Sequence, residues 1–482
     1  MSNLQTPGQL PAFITTATPN PPDKRAAWYK NTAPTYAGIF LWFAFWAFVV
    51  GGGKPNPQLG GTLSQGIGIA LLGLVLSAIV CHYLFYVVPG MLGMKTGLPL
   101  YIVGTSTYGA RGGFLMPGFL MGVLQFGWLG VNAFLSAKLL YNTFAATPIG
   151  DTTVFPVPGH AIIAVIFAVG AAFLGLKGIQ YVARVASLFP LVPVVILLVL
   201  LFGSFGGLSG FTPDKLIKAQ TAFAPNSAPP LGTFGVIALL LTYVVGFFAT
   251  AGAAGVDFGM NNLDKKDVLW GGWVGIALAI IVTAGISLLI VAGVYGSDVM
   301  SKEAKSLTST DLMEVIVGKK VAGWFWFLLA IAAFPPACFS SFIAANSFKT
   351  TLPNINPFVS VGLGTIISIV LAVTGWAGQV ISVFTVIGAS FGPICGAMMV
   401  DYLLAGGRWP GPRAGFNPAG WISWAVGFFV GILPLVKIYD LPAAPLLAFV
   451  VGAVVYFICA KLGMTSPVVP LPAKAAAADA AK

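Results

Sequence analysis

Gly246 to Asn262 reads GFFATAGAAGVDFGMNN. The stretch lies in a hydrophobic run that begins near Gly232 and is long enough to cross a bilayer. Its middle is nevertheless Gly, Ala and Thr around two Phe. Glycine in a helix interior costs about 1 kcal/mol relative to alanine, so a plain lipid-facing helix is a poor fit. Two arrangements suit it better. The helix breaks at the membrane midplane, and freed backbone groups and small side chains face a ligand. Alternatively it stays whole, and its small residues let a second helix approach closely.

Composition sets the class. The 482 residues are 57% hydrophobic and 8% charged, against about 25% charged in soluble proteins. Such a chain cannot cover a soluble core, so an all-α polytopic membrane protein with the lipid bilayer as its surroundings is expected. The first thirty residues are polar and Pro-rich, with no apolar segment of the signal-peptide kind. The net charge of +11 reads as basic cytoplasmic loops, and no nucleic-acid partner is implied. Cys81, Cys338, Cys395 and Cys459 all fall in apolar runs and offer neither a disulfide framework nor paired metal ligands. No HExxH, Gly-x-Ser-x-Gly, phosphate-binding loop or paired intramembrane Asp occurs. An enzyme is therefore not expected, and neither is a cofactor.

Twelve apolar spans follow, near 35–53, 62–90, 114–143, 158–176, 181–204, 233–258, 267–295, 321–350, 356–374, 377–404, 418–437 and 441–463. The expected organisation is an arm at 1–33, a transporter domain at 34–464 and a disordered tail at 465–482. Within the domain, one repeat covers about 35–204, a second about 233–404, and extra helices about 418–463. Basic residues such as Lys24, Arg25, Lys95, Arg184, Lys265, Arg408 and Lys474 fall on one side, which puts both termini in the cytoplasm. The first span runs from a crowded aromatic stretch (Trp42, Phe43, Phe45, Trp46, Phe48) into Gly51-Gly52-Gly53. Spans one and six thus look interrupted at matching places in two five-helix halves. That is the pointer to a LeuT-type, five-plus-five inverted-repeat transporter with its site at the midplane.

Three groups of residues suit chemistry at such a site. Gln125 and Trp128 in the third span share a helix face, and Asn132 extends it. The amide offers a donor and an acceptor to a planar ring, and the indole offers a stacking face. Packing and helix–helix hydrogen bonding would use the same residues. In the eighth span, the Ala337 carbonyl and the Ser340 and Ser341 hydroxyls supply hard oxygens for an alkali cation, with carbonyls near Phe45 and Phe48 completing the shell. The other possibility is that the serines bond back to the preceding turn. Asn346 is a second amide for a substrate. Asp257 and Asp401 end spans six and ten, where capping or pairing near the interface is expected. No carboxylate falls at mid-depth, which favours sodium over a proton as coupling ion.

Four stretches resemble the nucleobase–cation symporter-1 family, the purine/cytosine permease and hydantoin transporter group. They are TGLPLYIVGTSTYGARGG (Thr96–Gly113), Gln125-x-x-Trp128, Ala337-x-x-Ser340-Ser341 with Asn346, and GPICGAMMVDYLLAGGRWPGPRAGFNPAGWISWAVG (Gly392–Gly427). The second is similar to the arrangement in bacterial cytosine permeases. The resemblance implies alternating access, with a heterocycle held between spans one, three, six and eight. It implies that Gly246, Phe247, Phe248 and Thr250 line the site, with Trp128 and Phe248 enclosing the ring, Gln125 and Asn346 bonding its edge, and backbone groups at Gly246–Phe247 assisting. It implies sodium at Ala337, Ser340 and Ser341. Phe247 stands where cytosine permeases carry a serine, and this departure argues against cytosine itself. The expected function is import of a nucleobase, allantoin, hydantoin or hydroxymethylpyrimidine by cation symport, in a bacterial inner membrane. A proton-driven symporter of the same family and a transport-dead nutrient sensor are the alternatives.

Overall fold

The computed structural model describes residues 10–51, 58–150, 153–177, 189–352 and 354–471. Among these residues the regular structure is helical, with three isolated β-bridges. The first apolar segment forms α1 (Thr32–Leu41) and α2 (Phe43–Trp46). Then come α3 (Ile67–Thr96), α4 (Phe114–Phe144), α5 (Pro158–Lys177) and α6 (Leu191–Gly210). The second half has α7 (Pro213–Phe223), α8 (Thr233–Ala253), α9 (Gly255–Gly259) and α10 (Lys265–Gly296). It continues with α11 (Lys319–Ala332), α12 (Phe334–Thr351), α13 (Pro357–Val373) and α14 (Val380–Leu404). The last two are α15 (Pro418–Ile432) and α16 (Ala444–Lys461). Among the described residues nine helices are long and apolar enough to cross a membrane, α11 and α12 together counting as one. Two shorter apolar helices, α13 and α15, and the divided first segment occupy the other expected positions.

Both expected interruptions exist, the first within the aromatic stretch Trp42–Phe48 and the second within Gly246–Asn262. The first falls at Trp42, which is extended (φ −60°, ψ 126°) between α1 and α2. Gly52 and Gly53 lie outside the described residues, as do Arg184, Lys474 and the start of the fifth segment. Carbonyls around the break must find partners, because a bilayer core offers none. Trp46 Nε1 donates to Leu41 O at 3.1 Å, Tyr243 Oη to Ala44 O at 3.0 Å and Phe45 O at 2.5 Å, and Ser287 Oγ to Trp46 O at 2.5 Å. The second interruption falls at Ala254, between α8 and α9. Gly246 and Phe247 are inside uninterrupted helix, so the expectation of freed backbone groups there is corrected. Gly246 serves packing instead. A Cβ at this position would lie 2.7 Å from Phe384 O on α14, closer than a side chain tolerates.

Two helix groups result. In one, α4 packs on α11, α12 and α13, and α5 packs on α4, α12 and α13. In the other, α8 packs on α3 and α14, and α1 on α10. Helices α14, α15 and α16 pack on one another. Asp401 on α14 ion-pairs with Arg413 at 2.8 Å and accepts from Tyr456 Oη on α16 at 2.8 Å. Asp257 Oδ1 accepts from Leu100 N at 2.9 Å.

Polar segments hold the ends. The arm before α1 lies across α3 and the α8–α10 junction. Arg25 Nη1 donates to Met94 O at 2.8 Å, Ala26 N to Asn261 O at 2.8 Å, and Trp28 N to Asp267 Oδ1 at 3.0 Å. At the opposite end the connection after α10 dips inward. Ser309 N donates to Ala47 O at 3.1 Å, and Asp311 pairs with Lys138 of α4 at 3.1 Å. The tail is ordered further than expected. Ala414 N donates to Pro467 O at 2.9 Å and Val469 N to Pro412 O at 2.8 Å, while residues 472–482 lie outside the described residues.

Candidate substrate site

The break at Trp42 opens onto the place where α4 meets α8, and a box of aromatic rings forms there. The Trp128 ring centroid lies 5.1 Å from Phe247 and 5.8 Å from Trp42, edge-on in both cases. Phe247 is 4.8 Å from Phe45, 5.3 Å from Phe384 and 6.1 Å from Trp42. Aromatic rings attract at these separations and also present faces to a flat ligand. The rings touch one another, so the box is closed in this structure.

The ring that meets Trp128 is therefore Phe247, and not the Phe248 expected from the resemblance. Phe248 points the other way, stacked 5.7 Å from Phe40 and tilted against Tyr36 at 5.7 Å. Successive residues of a helix diverge by about 100°, so only one of the pair can face α4. Thr250 is brought in as well: its Oγ1 accepts from Trp128 Nε1 at 3.2 Å.

The polar side chains of α4 stand on the face that carries Trp128. Gln125 is buried, and its Nε2 reaches only the Met121 sulfur, at 3.6 Å, a weak acceptor. Asn132 Nδ2 donates to Trp128 O at 3.2 Å, and its buried Oδ1 has no partner. One turn on, Ser136 Oγ is also buried without a partner. Trp42 Nε1 is a third buried group in this state. On α12, Asn346 is exposed. A Cβ at Gly122 would sit 2.9 Å from Ser347 Oγ. That close approach sets the Asn346 turn of α12 against the α4 turn that precedes Gln125.

The proposed ion ligands are divided between the two helix groups. Ala337, Ser340 and Ser341 are buried on α12, which packs on α4 and α5. Ser340 Oγ bonds back to Pro336 O at 3.3 Å, and Ser341 Oγ is buried without a partner. Phe45 and Phe48 belong to the first segment, and the Phe45 carbonyl already accepts from Tyr243.

Sequence reasoning missed Trp42, Tyr243 and Phe384. The aromatic crowding at 42–48 was visible, but no local signal tells which of those residues leaves the helix. Tyr243 and Phe384 are ordinary apolar-run residues until their neighbours are known.

Residues 19–409 match a protein family described as permease for cytosine/purines, uracil, thiamine, allantoin. No curated protein sequence matches the chain. Among solved structures, Mhp1 in an inward-facing conformation aligns with a TM-score of 0.61 at 15% identity, covering 96% of this chain and 98% of that one. Mhp1 in a closed conformation with bromovinylhydantoin bound, described as a nucleobase-cation-symport-1 family transporter, gives 0.60 at 15% identity over 95% and 98%. At this identity the likeness is one of fold. It is the LeuT-type fold that the paired interruptions imply.

Proposed function

Since the chain belongs to the family of permeases for cytosine/purines, uracil, thiamine and allantoin, we propose that it imports a nucleobase or a related flat heterocycle by cation symport with alternating access. The observation that carries this reading is the box of Trp128, Phe247 and Trp42 with under-satisfied polar groups on its α4 wall. A buried polar group without a partner costs about 1–3 kcal/mol. A ligand that supplies the partner recovers this on binding. A planar ring with a polar edge meets both demands, and we assign Gln125, buried on the same α4 face, to that edge with Asn346 as a second amide.

The coupling ion in this reading is sodium, bound by Ala337, Ser340 and Ser341, with the first segment brought to them in the loaded state. Two observations support it over a proton. Asp401 is held by Arg413, and Asp257 by the Leu100 amide, so neither is a free carboxylate at mid-depth. We place the protein in a plasma membrane, and the distribution of basic residues favours both termini in the cytoplasm.

The test is binding to purified protein by thermal shift in sodium or in potassium. The panel holds cytosine, uracil, adenine, hypoxanthine, allantoin, a hydantoin and hydroxymethylpyrimidine. A ligand stabilises the folded state by RT ln(1 + [L]/Kd), so one sodium-dependent shift supports both halves of the reading. A shift equal in both salts keeps the heterocycle and removes sodium. The absence of any shift contradicts the reading, and so does a transport assay showing binding without accumulation.

A further inference from the structure

A cavity away from the aromatic box lies where the ends of three spanning helices meet. It holds about 770 Å³ and is lined by Lys95 and Thr96 at the end of α3, Leu263 before α10, and Arg408 and Trp409 after α14. All three helices are long and apolar enough to cross a membrane, so a cavity at their ends lies at a membrane surface.

The turn after α14 sets two cations in place. Gly406 and Gly407 both adopt the left-handed backbone (φ 72° and 75°), which favours glycine. Their amides donate to Leu403 O at 3.0 Å and Tyr402 O at 2.9 Å and so close the helix. Trp409 Nε1 pins the returning chain by donating to Val103 O at 2.9 Å. Lys95 Nζ donates to Gly407 O at 2.6 Å and stands 5.3 Å from the Tyr402 ring centroid. Arg408 Nε donates to Ala405 O at 3.2 Å. One turn, 405–408, thus holds both cations at one cavity.

Among the described residues neither Lys95 nor Arg408 forms an ion pair. Asp401, in the last turn of α14, is taken by Arg413 and Tyr456. Asp264, beside Leu263, caps α10 by accepting from Asp267 N at 2.9 Å. The Lys95 ammonium therefore has donors to spare, and Arg408 keeps its terminal guanidinium nitrogens, the pair that grips a phosphate bidentately. The surroundings favour a lipid over a free anion. Leu263 is exposed, and so are Leu403 and Leu404, which immediately precede Ala405 in the cavity wall. Basic pockets between spanning helices bind phosphate headgroups whose acyl chains stay in the bilayer.

We infer that this cavity binds the headgroup of an anionic phospholipid, with Lys95 and Arg408 on the phosphate and the acyl chains beside Leu403 and Leu404. No residue of the aromatic box takes part, so the failure of this assignment leaves the transport reading standing.

The test is native mass spectrometry of the full-length protein in neutral detergent, titrated with phosphatidylglycerol or phosphatidylcholine, with inorganic phosphate as competitor. Wild type is expected to retain phosphatidylglycerol in preference to phosphatidylcholine. Lys95→Gln and Arg408→Gln should each weaken phosphatidylglycerol about fivefold, the effect of one cation near a lipid surface. Lys461→Gln removes the same charge at the end of α16 and should leave retention as it is. A loss of equal size in Lys461→Gln would mean a general attraction to basic helix ends, and overturns the site. Unchanged retention in both cavity variants overturns it too. Wild type with no preference between the two lipids does the same, and that result needs no variant to fold. Displacement of phosphatidylglycerol by inorganic phosphate would mean that the cavity takes a free anion, and overturns the lipid.

Discussion

Trp128 on α4 donates its indole N–H to Thr250 Oγ1 on α8 at 3.2 Å. The two helices belong to different packing groups, so this bond joins one group to the other. It also fixes the plane of the indole that faces Phe247.

Thr250→Val keeps the shape and removes the acceptor. The stranded N–H is expected to cost about 1–3 kcal/mol, seen as a lower melting temperature in detergent. Ligand affinity should fall several-fold as the Trp128 ring loses its fixed orientation. Thr250→Ser, which restores the hydroxyl, should bind as wild type does. Val and Ser variants with equal affinity would mean that the bond is incidental.

Gly246→Ala tests what the glycine is for. If it lets α8 approach Phe384 O, the added methyl meets a backbone oxygen at 2.7 Å. Overpacking of this kind costs about 1–3 kcal/mol. If instead Gly246 were a point where the helix opens, alanine would strengthen the helix. A raised melting temperature would contradict the packing account.

Asp401→Asn should act on stability. It leaves the Arg413 guanidinium buried without its counter-charge, an arrangement that costs about 3–5 kcal/mol. Less folded protein is expected in the membrane, while the protein that does fold transports with unchanged ion dependence. An unaltered melting temperature with altered ion dependence would instead make Asp401 part of the coupling machinery.

Ser341→Ala separates the two readings of the eighth segment. As a sodium ligand, Ser341 is expected to raise the sodium concentration needed for half-maximal uptake when its hydroxyl is removed. As a packing residue facing Gly175 on α5, it should leave that concentration where it was. Ser340→Ala gives a second comparison, since the Ser340 hydroxyl is already bonded to Pro336 O.

Much of the architecture was legible because it depends on local composition. Apolar length marks a helix that crosses a bilayer, and no neighbour is needed to see it. The interruptions were legible to within a stretch, but not to the residue. Gly246 looks the same in sequence whether it frees its backbone or admits Phe384, since both uses select the absence of a side chain. Trp42 shows the converse. An aromatic residue carries no breaking signal, and its extended conformation depends on Trp46, Tyr243 and Ser287 collecting the carbonyls around it. Of the site, the α4 face of Gln125, Trp128 and Asn132 was readable from helical spacing. The choice of Phe247 over Phe248 was not, because it is set by how α8 is rotated against α4. The arm before α1 reads as polar and Pro-rich, and its partners at Met94 and Asn261 are distant in the chain.

The central claim is that this box carries a heterocycle across the membrane on an ion gradient. The most direct measurement is uptake into proteoliposomes of the ligand found in the binding panel, comparing wild type with Gln125→Ala. The predicted result is accumulation above the external concentration under an inward sodium gradient, abolished by Gln125→Ala with the protein still folded and inserted. Accumulation by Gln125→Ala at the wild-type level would contradict the site. Failure of wild type to accumulate the ligand under either a sodium or a proton gradient would contradict symport itself.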